Sequence, residues 1–274
     1  MRRGVAVTWP AAVEVHRQAV EWERRDVPAE IMLAIIQTES GGVPGLVSTM
    51  PSGCAELPTD AGGKRSACND LGLCQINPTT AVTYNAQGFK PGVTYDDLIG
   101  SDERAIRQQI RVGAWFVAWI GAQLHRYDPK RFPAQIDPRS ADQCKLIFSA
   151  YAAGWGALKD KMDKLIAGGI APSFAAIARS FPAWAGIKSG ERKWSALVRY
   201  GSSGAAPGSR PLLAGKGLPD WLPVALAMAG AWLLKRQAAK APAPVVNPEE
   251  EEVEEEIDDG EAAEDQGLEG GDPA

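Results

Sequence analysis

Histidine and cysteine are scarce in this 274-residue chain: two histidines, His16 and His125, and four cysteines. Neither histidine stands at ligand spacing from a cysteine, so a zinc site or a metalloprotease helix is not expected, and the metal and cofactor expectation is none. Four cysteines are too few for a disulfide-dense scaffold. There is no Gly-rich phosphate loop, no G-x-S-x-G elbow and no nucleic-acid-binding motif, which argues against nucleotide chemistry, serine-hydrolase chemistry and nucleic acid as a partner. An uninterrupted apolar run is missing near the N-terminus too. Residues 5–20 are interrupted by Glu14, His16 and Arg17, so no cleaved signal peptide is expected there.

Charge is present but unevenly placed. The formal net charge is -5, yet residues 249–274 hold 14 of the 34 acidic residues and no base, leaving the rest of the chain at +9. A basic folded part is suited to an anionic partner.

Helical periodicity dominates up to Tyr200. Residues 11–25 place Val15, Ala19 and Trp22 on one face. Pro28 suits the first turn of a second helix ending near Glu39. Ser101, Asp102 and Glu103 start a long helix whose stripe runs Ile106, Ile110, Gly113, Val117, Ile120 and Leu124. Residues 141–153 repeat the pattern with Cys144, Ile147, Phe148 and Tyr151, and shorter helices are expected at 157–167, 173–180 and 189–200. Strand character is confined to about 71–76. Residues 201–217, rich in Gly, Ser, Pro and Ala, read as a linker that ends the domain near Tyr200. The apolar run from Trp221 to Leu234 would span only about 21 Å as a helix, short of the roughly 30 Å hydrocarbon core. Lys235 and Arg236 come directly after it, so membrane contact and docking on protein both remain open. Residues 237–274 are too polar to fold alone.

Ile31, Ile35 and Glu39 fall at i, i+4 and i+8, which continues an apolar face with a carboxylate just before Gly41 and Gly42. A carboxylate placed there is a candidate general acid. Around it stand Glu39-Ser40-Gly41-Gly42, then Asp70-Leu71-Gly72-Leu73-Cys74-Gln75-Ile76-Asn77, then Ala150-Tyr151-Ala152-Ala153-Gly154. In that order the three segments resemble the motifs of the lytic transglycosylases with a lysozyme-like fold. The likeness is closest to the branch associated with secretion, conjugation and phage virions, and it covers about 21–156.

The resemblance implies a mainly α, lysozyme-like fold with a small β-hairpin, and cleavage of peptidoglycan between N-acetylmuramic acid and N-acetylglucosamine with a 1,6-anhydro product. Glu39 would be the acid and then the base, and Ser40, Gln75, Asn77 and Tyr151 would face the glycan. Asn77 before Pro78 reads equally as a helix cap, and Tyr151 as a core residue. The family's usual Asn after the tyrosine is Ala152, and Cys74 stands where methionine is common. Asp70 falls where lysozymes of the chicken type carry a second catalytic aspartate, so hydrolysis by Glu39 and Asp70 is the alternative outcome, and a non-catalytic wall-binding component is a further one.

The stretch 43–69 is longer than usual and carries Cys54 and Cys68, which could close it with a disulfide; Cys74 could meet Cys144. Both histidines read as surface positions. A substrate outside the cytoplasm without a signal peptide suggests a virion or an envelope-spanning machine as the setting, with peptidoglycan, virion or secretion-machine proteins and a membrane as partners.

Overall fold

A computed structural model of the chain describes residues 8–201, which lie in the first of two units into which the chain divides, Met1–Gly215 and Lys216–Ala274. The expectations for the linker, for Trp221 to Leu234 and for the acidic tail fall outside the described residues. Among the described residues no helix is long and apolar enough to cross a membrane.

Ten helices and one hairpin make up the described part. In order these are α1 (Ala11–Glu14), α2 (Arg17–Glu23), α3 (Ala29–Glu39), β1 (Val47–Pro58), β2 (Lys64–Leu71), α4 (Pro78–Ala86), α5 (Tyr95–Ile99), α6 (Glu103–Tyr127), α7 (Ala141–Ala153), α8 (Trp155–Ala167), α9 (Phe174–Ser180) and α10 (Ala185–Gly201). This mainly helical arrangement with one antiparallel hairpin fits a lysozyme-like fold.

The centre is α3, where every residue from Ile31 to Ile36 is fully buried. A helix apolar on all faces belongs inside a core rather than on a surface. It is wrapped by α1, α2, α6 and α10. The long helix α6 starts at Asp102, whose side chain accepts from the Ala105 amide, and buries Ile110, Val117, Ile120 and Leu124 as the stripe predicts. The helix α10 approaches α7 through Gly190: a Cβ there would lie 2.5 Å from Ser149 Oγ and 2.9 Å from the Lys145 carbonyl.

Three expectations are corrected. Residues 11–25 form two short helices, because the chain breaks at Val15 and His16 and the helical register restarts. Val15 is 72% exposed and Trp22 54%, while Val13, Val20 and Glu23 point inward. His16 is buried rather than on the surface; its ring Nε2 donates to the Gly42 carbonyl at 2.9 Å. His125 is half-buried, with Nδ1 2.8 Å from the Phe132 carbonyl.

The third concerns the hairpin. Its strands are 47–58 and 64–71, almost wholly within the stretch 43–69 read as a connection, and residues 71–76 are a turn closed by one bridge between Leu71 and Ile76. Irregular pairing between Val47 and Ala55 bends β1, and the Cys54–Cys68 disulfide ties the strands together. The tip is fixed from outside. Asp96 accepts from the Asp60 amide, Thr94 donates to Asp60, and Arg104 pairs with both Asp60 and Asp97. The turn is held from within by Gln109, fully buried, which accepts from Leu73 and donates to the Asp97 and Gly100 carbonyls.

Glu23 on α2 anchors α6 by accepting from Arg107 and Arg111, each at 2.7 Å. Burial alone would push its carboxyl up, but the two guanidiniums together hold it below the usual range.

Gly190→Ala should lower stability by about 1–3 kcal/mol, read by chemical denaturation, because α10 and α7 have no room to part without breaking neighbouring contacts. Glu23→Gln should cost about 1–3 kcal/mol at neutral pH. Since the folded carboxyl titrates below its unfolded value of about 4.3, that difference should persist above pH ~4.3 and vanish as pH falls through the lowered value, which denaturation curves at pH 3 and 7 will test.

Candidate active site

The turn after α3 is where local geometry becomes a site. Gly41 and Gly42 take φ of 64° and 89°, and a Cβ on Gly42 would collide with the Ala12 carbonyl at 2.1 Å. Gly42 therefore lets α1 press against the end of α3, and His16 bonds the Gly42 carbonyl from the same side. Ser40, expected to face a glycan, instead turns back: its hydroxyl donates to the Ile36 carbonyl and accepts from the Gly42 amide. Glu39 is left at the mouth of the helix with its side chain 16% exposed.

A pocket of about 340 Å³ opens over it, lined among others by Glu39, Ser52, Asp70, Gln75, Asn77 and Tyr151. The structure thus brings together five of the six residues singled out from sequence. Asp70, on β2, receives a 2.5 Å hydrogen bond from Ser52 on β1, and Ser52 in turn accepts from the Asn77 amide at 2.9 Å. Burial, and secondarily the negative charge of Glu39, push the Asp70 carboxyl up; the bonds from Ser52 and Asn77 act the other way without cancelling this.

Asn77 also caps α4, its oxygen accepting from the Thr79 amide, so the cap and the pocket lining are the same residue. Gln75 takes φ 48° in the turn and donates to the Leu46 and Gly72 carbonyls, so it braces the pocket wall as well as lining it.

Tyr151, on α7, donates its hydroxyl to the Cys74 carbonyl at 2.7 Å and packs its ring 5.4 Å from that of Phe116. Burial, helped by the nearby Cys74, Glu39 and Asp70, pushes its hydroxyl well up, so it stays a neutral donor. The two remaining cysteines, Cys74 and Cys144, are free and buried rather than bonded to each other. Burial drives the Cys74 thiol far above its usual range and Cys144 up to about 12, so both are packing residues and not nucleophiles. Among the described residues no group of three or more His, Cys, Asp or Glu side chains is placed to hold a metal ion.

Sequence reasoning missed one residue that touches Glu39 directly. Lys193 of α10, with its side chain fully buried, puts Nζ 2.6 Å from Glu39 Oε1, and Arg192 Nη2 lies 3.8 Å from Oε2. Lys193 also donates to Ser189 Oγ at 2.5 Å. Burial lowers its pKa, while the charge and hydrogen bond of Glu39 oppose that shift in part. A signal existed: Gly186, Gly190, Lys193 and Leu197 fall at i, i+4, i+7 and i+11, which sets a lysine into the buried stripe of α10.

A carboxyl group that opens on a pocket and has a buried ammonium behind it can give a proton to, and take one from, a bound molecule. The model of the transglycosylase SLT domain family matches residues 19–167, which contain Glu39, the hairpin, the turn and Tyr151. No curated protein matches the chain. The chain belongs to the transglycosylase SLT domain family, the lytic transglycosylases that act on peptidoglycan.

Proposed function

We propose that the enzyme cleaves the β-1,4 bond between N-acetylmuramic acid and N-acetylglucosamine and leaves a 1,6-anhydro end, with Glu39 as the only group that exchanges protons with the sugar. The observation that carries this reading is the position of Glu39: it lines the pocket with its side chain only 16% exposed and is paired on its buried side with Lys193. Glu39 protonates the glycosidic oxygen as the bond breaks, then takes the proton of the muramic 6-hydroxyl as that oxygen closes on the anomeric carbon. The nucleophile belongs to the substrate, so no second carboxylate is required. Gln75, Asn77 and Tyr151 orient the sugars, and Ser40 supports the turn beneath Glu39 rather than the glycan.

Asp70 supports the second reading, hydrolysis by a muramidase pair, because it lines the same pocket. Against it stands the engagement of Asp70 with Ser52, together with burial that disfavours its charged form, whereas a nucleophile or water-activating base needs a free carboxylate. A non-catalytic wall-binding role gives no reason for a buried ion pair under the pocket. The setting we propose is a phage virion or an envelope-spanning machine facing the periplasm, with Trp221 to Leu234 as the membrane-contacting segment and virion or secretion-machine proteins as partners. Fractionation of purified particles and host envelopes tests it; a purely cytosolic pool would count against it.

Glu39→Gln should keep the fold and reduce release of soluble fragments from purified peptidoglycan by about 10²-fold or more. Undiminished release would remove Glu39 from the mechanism. Asp70→Asn should retain measurable activity and still yield anhydro muropeptides by mass spectrometry. Products one water heavier, in the wild type, would assign the muramidase reaction instead.

A further inference from the structure

Lys193 lies outside the span matched by the family model and outside the pocket lining, yet it is the closest charged group to the proposed acid. A general acid must hold a proton when substrate arrives. An ammonium 2.6 Å away in ordinary surroundings keeps the carboxyl ionised, the wrong state for donating. Lysine and glutamate ordinarily differ by about 6 pKa units, so the salt form is strongly preferred in water. Full burial can move each group by up to about 3–5 units, lysine down and carboxyl up, which is enough to close that gap. Here the ammonium is already sealed, and the carboxylate's remaining exposure is toward the pocket that a glycan would fill.

We infer that Lys193 and Glu39 hold one catalytic proton between them, and that filling the pocket with glycan moves it from Nζ to Oε1. Lys193 is thus a positioning residue for the proton, acting through Glu39 and not on the sugar. This rests on the reading of Glu39 as the acid. In the first step an Nζ–H bond breaks and an Oε1–H bond forms, giving a neutral amine and a neutral carboxyl. The carboxyl then passes the proton to the glycosidic oxygen. The 6-hydroxyl proton goes to Oε1 and on to Nζ, which restores the ion pair with no net gain or loss.

The charged and titratable groups facing the pair are few and differ in sign. On α10 itself Arg192 sits 3.8 Å from Oε2 and favours the carboxylate. From β2 the Asp70 carboxyl adds negative potential and favours the protonated acid. From α7 the Tyr151 ring lies 5.9 Å from Nζ, and its hydroxyl stays neutral, as does the buried thiol of Cys74 in the turn. Ser189 accepts from Nζ and remains available to the neutral amine, so the nitrogen keeps a partner in both states.

The pH dependence of kcat/KM on soluble glycan strands tests the inference. In the wild type the alkaline limb reports loss of the shared proton. Lys193→Met should move that limb to lower pH by about one unit or more while activity on the acidic side stays within about tenfold. A uniform loss at every pH, with the limb in place, would show a structural role and overturn it.

Lys193→Gln, which keeps a hydrogen-bond donor in the same space, should behave like the Met variant. If it restores the wild-type profile, the proton is not shared. Independently of any substitution at 193, infrared difference spectra of the wild type at pH 8 should show a protonated carboxyl on saturation with a sulfur-linked, uncleavable glycan. The band should be missing in Glu39→Gln. Its absence from the wild type overturns the inference, whereas an active Glu39→Gln variant overturns the assignment of the acid itself.

Discussion

A helix buried on every side has to end, and the manner of its ending governs the rest of this molecule. Six consecutive residues of α3 are wholly removed from water, so the helix is fixed in position by packing from all directions. Beyond Ile36 the chain must return to the surface within a few residues. Glu39 is where that return begins, and its carboxyl inherits the rigidity of the core while opening on solvent. Burying a charge partway is costly unless it is paired, and Lys193 supplies the pairing from the last described helix. The close passage of α10 over α7 at Gly190 is what brings the lysine within reach.

The opposite wall of the pocket is built by different means. Hardly any residue of β1 is buried, and a two-stranded sheet alone is marginal in water. Here it is stapled by Cys54–Cys68, pinned at its tip by Arg104 and Asp96, and clamped at its base by the turn that Gln109 organises. Rigidity on this side comes from covalent and polar ties, and on the α3 side from apolar packing. The two meet at Asp70, whose bond to Ser52 holds the bent part of β1 against β2 and so fixes the shape of the pocket as well as its charge.

These two modes explain what the sequence discloses. The helices α3, α6, α7, α9 and α10 were legible because each pairs an apolar stripe with a cap or a breaker: Asp102, Ser140 and Ser173 all accept from the first turn as their positions suggest. Glu39, Asp70, Asn77 and Tyr151 were legible as motif residues, and they do converge. The hairpin was not, because most of its residues are exposed, so the strands carry little apolar alternation, and the region is dense in Gly, Ser and Pro. Residues 11–25 misled for the reverse reason: a single helical period fits them, but the break at His16 that lets the histidine reach Gly42 is a tertiary demand with no local signature. Lys193 was overlooked because a lysine in a helix is ordinarily solvated, and only its place in the buried stripe marks it out.

The charge balance of the pocket follows from the same geometry. Glu39 and Asp70 repel each other across a small volume, and each is stabilised from its own side, one by an ammonium and the other by neutral donors. The asymmetry has a chemical consequence for the proposed reaction. Asp70 is bonded to hydroxyl and amide donors that keep their charge, whereas Glu39 is bonded to a buried amine able to change charge with it. In the reaction we propose, the group that gains and loses a proton in each cycle is the one placed against a partner that can do the same. In the proposed reaction the substrate needs no water in the pocket: the leaving oxygen takes the proton, the sugar's own hydroxyl returns one, and the sealed side of the pair holds it from one cycle to the next.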